Sequence, residues 1–201
     1  MLRKTCIFLG PSGCGKGTQA GFTKDHLNFM TPETPVKTLV MGDLFRKFWG
    51  EDKTLTGELS RANNQRGDLQ PNFMQVRMWA RFLVDKMTGN EHLLIDGSPR
   101  RILDAQMFHE VFSFYGMGKP IIFFIDTDRD KAKDRLIKRG QKHGRNEDVP
   151  DLIDKRLDWY EKDAKPAIMF FKDKPEYIFA HIDGNGTQEE VWNQVREYLK
   201  A

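Results

Sequence analysis

The sequence has few cysteines and no long apolar run. Two of its 201 residues are cysteine, Cys6 and Cys14, and none follows them. They form neither a disulfide framework nor a metal-ligand pattern, which favours a reducing compartment such as the cytoplasm. No apolar stretch approaches the length that spans a bilayer, and the chain enters its first apolar segment at once. We therefore expect no membrane anchor and no signal peptide.

A strong imbalance of charge is also missing. The chain has 32 basic and 29 acidic residues, which gives a net charge of +3. So mild an excess does not favour binding to nucleic acid. A length of 201 residues suits one domain with a sizeable core. We expect a cytoplasmic monomer whose partners are small molecules.

Short apolar segments alternate with helical patterns along the whole chain. Strands are expected at 6–9, 38–41, 92–95, 121–125 and 177–181. A helix is expected over 71–88, because apolar residues recur there at helical spacing, namely Phe73, Val76, Ala80, Leu83 and Met87. A second long helix over 153–171 should kink at Pro166. The alternation predicts an α/β fold with a five-stranded parallel sheet between two layers of helices.

The strongest local signal is the stretch from Gly10 to Thr18, which reads GPSGCGKGT directly after an apolar strand pattern. It matches G-x-x-x-x-G-K, in which glycines let backbone N–H groups approach a phosphate. Lys16 can reach terminal phosphates, and Thr18 can contact a phosphate or the water shell of Mg²⁺. The pattern predicts a phosphate-binding loop formed by Gly13, Cys14, Gly15, Lys16, Gly17 and Thr18.

Arginines follow the expected strands at several points. They are Arg46, Arg100, Arg135, Arg139, Arg145 and Arg156. A guanidinium group binds phosphate through two parallel hydrogen bonds and keeps its charge, so it suits a phosphate clamp. The alternative is a solvated charged face, which is common for single surface arginines. Six of them around a phosphate loop favour the clamp.

In order along the chain, these motifs resemble those of the nucleoside monophosphate kinases, above all the adenylate kinases. Residues 10–19 resemble the ATP loop of that family, and GDLFR at 42–46 resembles its monophosphate-site motif. DGSPR at 96–100 is similar to its D-G-F/Y-P-R signature. The short lid of some members is similar to 135–157. The likeness covers essentially the whole chain.

The resemblance implies a P-loop three-layer fold with two small additions. The core would comprise residues 1–41, 72–139 and 151–201. The helical lobe that binds the monophosphate would comprise residues 42–71, and the lid would comprise residues 140–150. The four-cysteine zinc site of long-lid members is absent from the sequence, so no zinc is expected. The implied reaction moves the γ-phosphoryl group of Mg-ATP to AMP and gives two ADP.

The resemblance also implies a role for each site residue. Lys16 and the loop amides would hold the ATP phosphates, and Arg135 would lie along the ATP base. Asp96 would orient Mg²⁺ through water. The acceptor would be bound by Met41, Arg46, Gly97, Arg100, Asp104, Arg145 and Arg156. Catalysis would rest on Lys16, Arg100, Arg139, Arg145 and Arg156, with Glu147 and Asp148 orienting the lid arginines.

Three departures from the adenylate kinase pattern concern the acceptor base. Met41, Ser98 and Asp104 stand where that family usually has Thr, an aromatic residue and Gln. An ionised Asp only accepts hydrogen bonds, so AMP should be used with weaker discrimination, and Gln106 is an alternative reader of the base. A plain helix-start charge is the other reading of Asp104. CMP, UMP or GMP are alternative acceptors, and a non-catalytic nucleotide-binding module is a third hypothesis.

Overall fold

The computed structural model describes residues 3–144 and 147–200, and its sheet has the strand order β2–β3–β1–β4–β5. The strands are β1 (Thr5–Leu9), β2 (Val36–Val40), β3 (His92–Asp96), β4 (Ile121–Asp126) and β5 (Ile178–Asp183). All neighbouring pairs are parallel. The expected five-stranded parallel sheet is confirmed.

Helices cover both faces of this sheet. They are α1 (Lys16–Met30), α2 (Met41–Glu51), α3 (Leu55–Gln65), α4 (Asn72–Lys86), α5 (Ile102–Phe114), α6 (Arg129–His143), α7 (Pro150–Trp159), α8 (Lys165–Met169) and α9 (Gln188–Glu197). Helices α1 and α9 pack on one face, while α2, α4, α5 and α8 pack on the other. No helix in the described part of the chain is long and apolar enough to cross a membrane.

Strand β1 lies at the centre of the sheet, and all five of its residues are buried. Cys6 and Phe8 point to the layer of α1 and α9, whereas Ile7 and Leu9 point to the opposite layer. Because successive side chains of a strand alternate between faces, a strand covered on both sides needs apolar residues throughout. This requirement explains why the central strands were recognisable as unbroken apolar runs.

Helix α4 begins after Pro71, as expected, and its buried face overlaps the predicted one. Leu83 is buried, and Val76, Ala80 and Met87 pack partly buried against the core, as predicted. Phe73 was wrongly included, because it is 65% exposed, and the buried face extends instead over Met74, Gln75, Met78 and Trp79. Two methionines and a tryptophan bring more apolar surface to the core than Phe73 does.

The expected kinked helix is divided into three segments. Helix α7 ends at Trp159, a π-helical turn covers Tyr160–Ala164, and α8 follows. Pro166 explains the interruption, because proline has no N–H to donate and its ring clashes with the carbonyl four residues earlier.

Candidate active site

A cleft of about 960 Å³ lies at the carboxyl ends of β1, β2 and β3. It is the place where a parallel α/β sheet binds ligands. Its walls include these expected site residues: Gly13, Cys14, Gly15, Lys16, Gly17, Thr18, Arg46, Asp96, Gly97, Arg100, Arg135, Arg139 and Arg156. Arg145 lies outside the described residues.

The loop between β1 and α1 is shaped by close backbone contacts. A Cβ atom at Gly10 would lie 2.3 Å from the carbonyl oxygen of Ile125, and one at Gly13 would lie 2.4 Å from that of Ala132. Helix α1 starts beyond this loop with no side-chain cap and no acidic residue in its first turn. The first N–H groups of any helix have no intrahelical acceptor, and the residues that carry them here line the cleft, which is the arrangement that binds phosphate.

Lys16 lies over the same loop. Its Nζ donates hydrogen bonds to the carbonyl oxygens of Pro11, at 3.0 Å, and Gly10, at 3.4 Å. The Cys14 thiol lies 4.0 Å from this Nζ, and burial raises the pKa of the thiol, so it stays protonated and unreactive. The lysine thus brings its charge to the point where the helix N-terminus already favours an anion.

Two arginines of the expected lid region share one carboxylate. Asp148, whose side chain is fully buried, accepts hydrogen bonds from Arg139 Nε and Nη2, at 2.6 and 2.9 Å, and from Arg156 Nη1 at 2.8 Å. Burial by itself would raise the pKa of Asp148, but the two guanidinium groups hold it below its ordinary value. Arg156 Nη2 also donates to Ser12 Oγ at 3.0 Å, which joins this cluster to the phosphate loop.

Arg100 is fixed from three sides. Its Nε donates to the Gly97 carbonyl oxygen at 2.8 Å, its backbone N–H donates to Asp104, and its guanidinium lies 5.7 Å from the centre of the Trp159 ring. Burial, followed by the charge of Arg156, lowers the pKa of Arg100 to about 10, so it remains protonated near neutral pH. A desolvated and oriented guanidinium group is well suited to bind a phosphate.

Arg135 and Arg46 lie at opposite ends of the cleft. Arg135 donates to the carbonyl oxygens of Gly184 and Gly186, at 2.8 and 2.9 Å, in the connection between β5 and α9. Arg46 pairs with Asp43 in the first turn of α2. The cleft therefore has a cationic group at each end and a cluster of them in the middle.

Asp96 has the properties expected of a group that supports Mg²⁺. Its Oδ1 is buried with no hydrogen-bond partner among the described residues, and a Cβ atom at Gly17 would lie 3.2 Å from its Oδ2. Burial raises the pKa of this carboxyl, and the charge of Lys16 opposes the shift only in part. Carboxylate oxygen is a ligand type that Mg²⁺ prefers, so the residue fits the expected role. In the described ranges no group of three or more His, Cys, Asp or Glu could hold a metal ion.

Asp104 does not line the cleft, and its position gives no support to the expected role as reader of the acceptor base. It is 1% exposed, and both carboxylate oxygens accept hydrogen bonds from the protein. Oδ1 accepts from Trp79 Nε1 at 2.7 Å, and Oδ2 accepts from Ser98 Oγ at 2.9 Å and from the Arg100 N–H at 3.0 Å. Ser98 and Asp104, two of the three residues that depart from the adenylate kinase pattern, are therefore hydrogen-bonded to each other inside the protein.

Met41 is also turned away from the cleft. It is fully buried in the core cluster beneath α2, and the cleft is lined instead by its neighbours Val40 and Gly42. An apolar thioether gains more from the core than from a polar cleft, so the position of Met41 gives no support to the expected contact with the base. Gln106 is exposed on α5 and lines neither the cleft nor the crevice beside it.

Some lining residues had not been singled out from the sequence. Trp159 is one, and its position three residues after Arg156 on α7 could have indicated a shared helix face. Phe45 and Trp49 of α2 also line the cleft, with ring centroids 5.5 Å apart. They add flat apolar surfaces to a mostly cationic site.

The parallel sheet, the glycine-rich phosphate loop and the converging cations define a P-loop nucleotide-binding protein. Comparison with known proteins narrows this class. A family model described as adenylate kinase matches residues 8–176. The chain is 28% identical to the adenylate kinase of Kocuria rhizophila over 195 residues, which is 96% of this chain and 97% of the relative. It is 30% identical to that of Leptospira biflexa over 192 residues, with 96% and 97% covered.

This chain belongs to the adenylate kinase family. Membership makes it a phosphotransferase that acts on a nucleoside monophosphate and binds nucleotides as substrates.

Proposed function

We propose that this protein transfers the γ-phosphoryl group of Mg-ATP to AMP and yields two ADP. The observation that carries the proposal is the convergence of four cationic side chains on one cleft, namely Lys16, Arg100, Arg139 and Arg156. Phosphoryl transfer depends on positioning and on neutralising charge more than on a covalent catalyst. Four fixed positive charges around a phosphate loop supply both.

The two ends of the cleft suit two different substrates. The phosphate loop and Lys16 would hold the β- and γ-phosphates of ATP, with Arg135 beside its base. Arg46 and Arg100 lie at the opposite end, where they would hold the α-phosphate of the acceptor. Arg139 and Arg156 lie between the two groups, where negative charge passes from donor to acceptor. Arg145 is proposed for the same role from sequence alone.

Mg²⁺ is the proposed cofactor. Asp96 and Thr18 would hold it, Asp96 through water, and the ion would draw its remaining ligands from the ATP phosphates. When bound, Mg²⁺ neutralises phosphate charge during transfer. The protein supplies the fixed carboxylate and the loop that places the phosphates beside it.

The segments 42–71 and 140–150 are proposed to move over bound substrates. The ion-paired group of Arg139, Arg156 and Asp148 would anchor the segment 140–150. The hydrogen bond from Arg156 to Ser12 joins this group to the phosphate loop. Closure excludes water and so limits wasteful hydrolysis of ATP. We also propose that the enzyme acts as a monomer in the cytoplasm; its two cysteines, Cys6 and Cys14, are both free thiols, as they would be in a reducing compartment.

Transfer of label tests this proposal. With ATP labelled at the γ-phosphate and AMP as acceptor, we expect label at the β-phosphate of newly formed ADP. Without an acceptor, release of inorganic phosphate should be far slower. Release of phosphate at the same rate with and without AMP would identify a hydrolase, and absence of both products with ATP bound would identify a non-catalytic module.

A further inference from the structure

One buried side chain of the described chain has an amide group with no partner on either atom. Gln75 is 3% exposed, and its Nε2 and Oε1 are both buried without a hydrogen-bond partner among the described residues. It lies on the inward face of α4, between apolar neighbours. Leaving buried polar groups unpaired costs at least as much as a lost hydrogen bond for each group. An amide in this position therefore indicates a partner that the chain itself does not supply.

Gln75 lines a narrow crevice beside the acceptor end of the cleft. The crevice is lined by Leu69, Gln70, Asn72, Gln75, Arg100, Arg101 and Asp104. Gln70 and Arg100 also line the main cleft, so the crevice adjoins the proposed phosphate clamp of the acceptor. It has no space for a water-sized sphere. The crevice is therefore closed in this structure. Leu69 and Gln70, which line it, belong to the segment 42–71 that is proposed to move when substrates bind, and that rearrangement would bring the base beside Gln75.

Three other polar side chains around the crevice, those of Asp104, Gln70 and Arg101, already have partners within the protein. Both oxygens of Asp104 are occupied, as described above. The Gln70 amide donates to the Ser60 carbonyl oxygen at 2.9 Å and accepts from Ser60 Oγ at 2.8 Å. Arg101 donates to the Gln70 carbonyl oxygen at 3.1 Å. Among the side-chain amides of this wall, Gln75 is the one that is buried with both of its hydrogen-bonding groups unpaired in the described structure.

We propose that the Gln75 amide hydrogen-bonds the base of the acceptor nucleotide and that it accepts more than one base; this rests on the function proposed above. Adenine and cytosine present an amine beside a ring nitrogen that accepts, whereas uracil presents a carbonyl beside an N–H. A carboxamide carries one acceptor and one donor group and pairs with either pattern by turning over. No described atom fixes the orientation of Gln75. Selectivity among bases should therefore be about 10–100-fold, far below the 10⁴–10⁵-fold of a site with fixed donors and acceptors.

The test is Gln75→Met, which keeps the length of the side chain and removes both polar groups. The melting temperature of the protein without nucleotide should rise by about 2–6 °C, because the unpaired amide is gone. The kcat/KM for AMP, CMP and UMP should fall about tenfold or more, while the KM for ATP stays within twofold. Gln106→Met is the matched control, since Gln106 is exposed on α5, and it should change neither quantity.

A second variant tests the hydrogen-bonding pattern itself. Gln75→Glu replaces the amide by a carboxylate that accepts only, so it can pair with the amine or N–H of a base but faces the neighbouring ring nitrogen or carbonyl without a donor. The kcat/KM should therefore fall about tenfold for AMP and UMP alike. An acceptor kcat/KM within twofold of wild type in Gln75→Met would overturn the inference. A lower melting temperature with equal losses for ATP and acceptor would assign Gln75 a structural role and also overturn it. Absence of transfer to any monophosphate in the wild type would instead refute the proposed function.

Discussion

Replacing Asp104 by Asn should destabilise the protein and weaken catalysis without changing which base is preferred. The carboxylate of Asp104 accepts from three N–H or O–H donors, on Trp79, Ser98 and Arg100. An Asn amide has one acceptor oxygen, and its NH₂ group would face a donor whichever way it turns. The Ser98 hydroxyl can rotate and accept, but the indole and backbone N–H groups cannot.

At least one buried N–H group is therefore left without an acceptor in Asp104→Asn. This loss costs about 1–3 kcal/mol of unfolding free energy. For a domain of this size, 1 kcal/mol shifts the melting temperature by about 2–4 °C, so we expect a fall of about 2–12 °C. Because the same hydrogen bonds hold the backbone of Arg100, its guanidinium should be displaced, and kcat/KM should fall about 10–100-fold for every acceptor alike.

Calorimetry and steady-state kinetics with AMP, CMP, UMP and GMP measure both effects. Asp85→Asn is the matched control: Asp85 is half exposed on α4 and should change stability by less than about 0.5 kcal/mol. An Asp104→Asn protein with wild-type stability and an altered ranking of acceptors would refute this reasoning, because it would mean that Asp104 contacts the base after all.

Three further predictions concern the charged groups of the cleft. Lys16→Met should fold normally and lose turnover by about 10²–10³-fold, and near-normal turnover would refute its role at the phosphates. Asp148→Asn should cost about 1–3 kcal/mol at neutral pH, less than for a fully buried pair because Arg139 and Arg156 are partly exposed. The two arginines lower the pKa of Asp148 in the folded state. The difference in stability between wild type and variant should therefore be constant above about pH 5 and shrink as pH falls below about 4. A difference that grows in acid would contradict the ion-pair account. Trp159→Leu should raise the acceptor KM about 3–10-fold through loss of the contact with Arg100, and an unchanged KM would refute that contact.

The fold was largely predictable because its signals are local. Unbroken apolar runs mark strands that are buried on both faces, and Thr187 with Glu190 forms a capping box, a short local motif, at the start of α9. The prediction was incomplete where tertiary packing decides. Which residues of α4 are most deeply buried depends on which side chains fill the core, so Met74, Met78 and Trp79 were missed and Phe73 was wrongly included. The π-helical turn before Pro166 had no local sequence signal beyond the proline.

The site was predictable in its phosphate-binding part for the same reason. A phosphate loop is a short continuous segment, and its glycines are needed for contacts that a Cβ atom would block. The base-binding part was not predictable, because the direction of Asp104 depends on Ser98 and on Trp79, which is 25 residues away. Sequence motifs locate Asp104 near the site, but only its hydrogen-bond partners show that it points inward.

The central claim is tested most directly by a coupled assay that measures the formation of ADP from ATP and each nucleoside monophosphate in turn. For the wild-type protein we predict rapid formation of ADP with AMP and slower formation with the other acceptors. Without an acceptor, the wild-type rate should be as low as the rate of the Lys16→Met variant with AMP. A folded wild-type protein that binds ATP but forms ADP no faster with any monophosphate than without one would contradict the account.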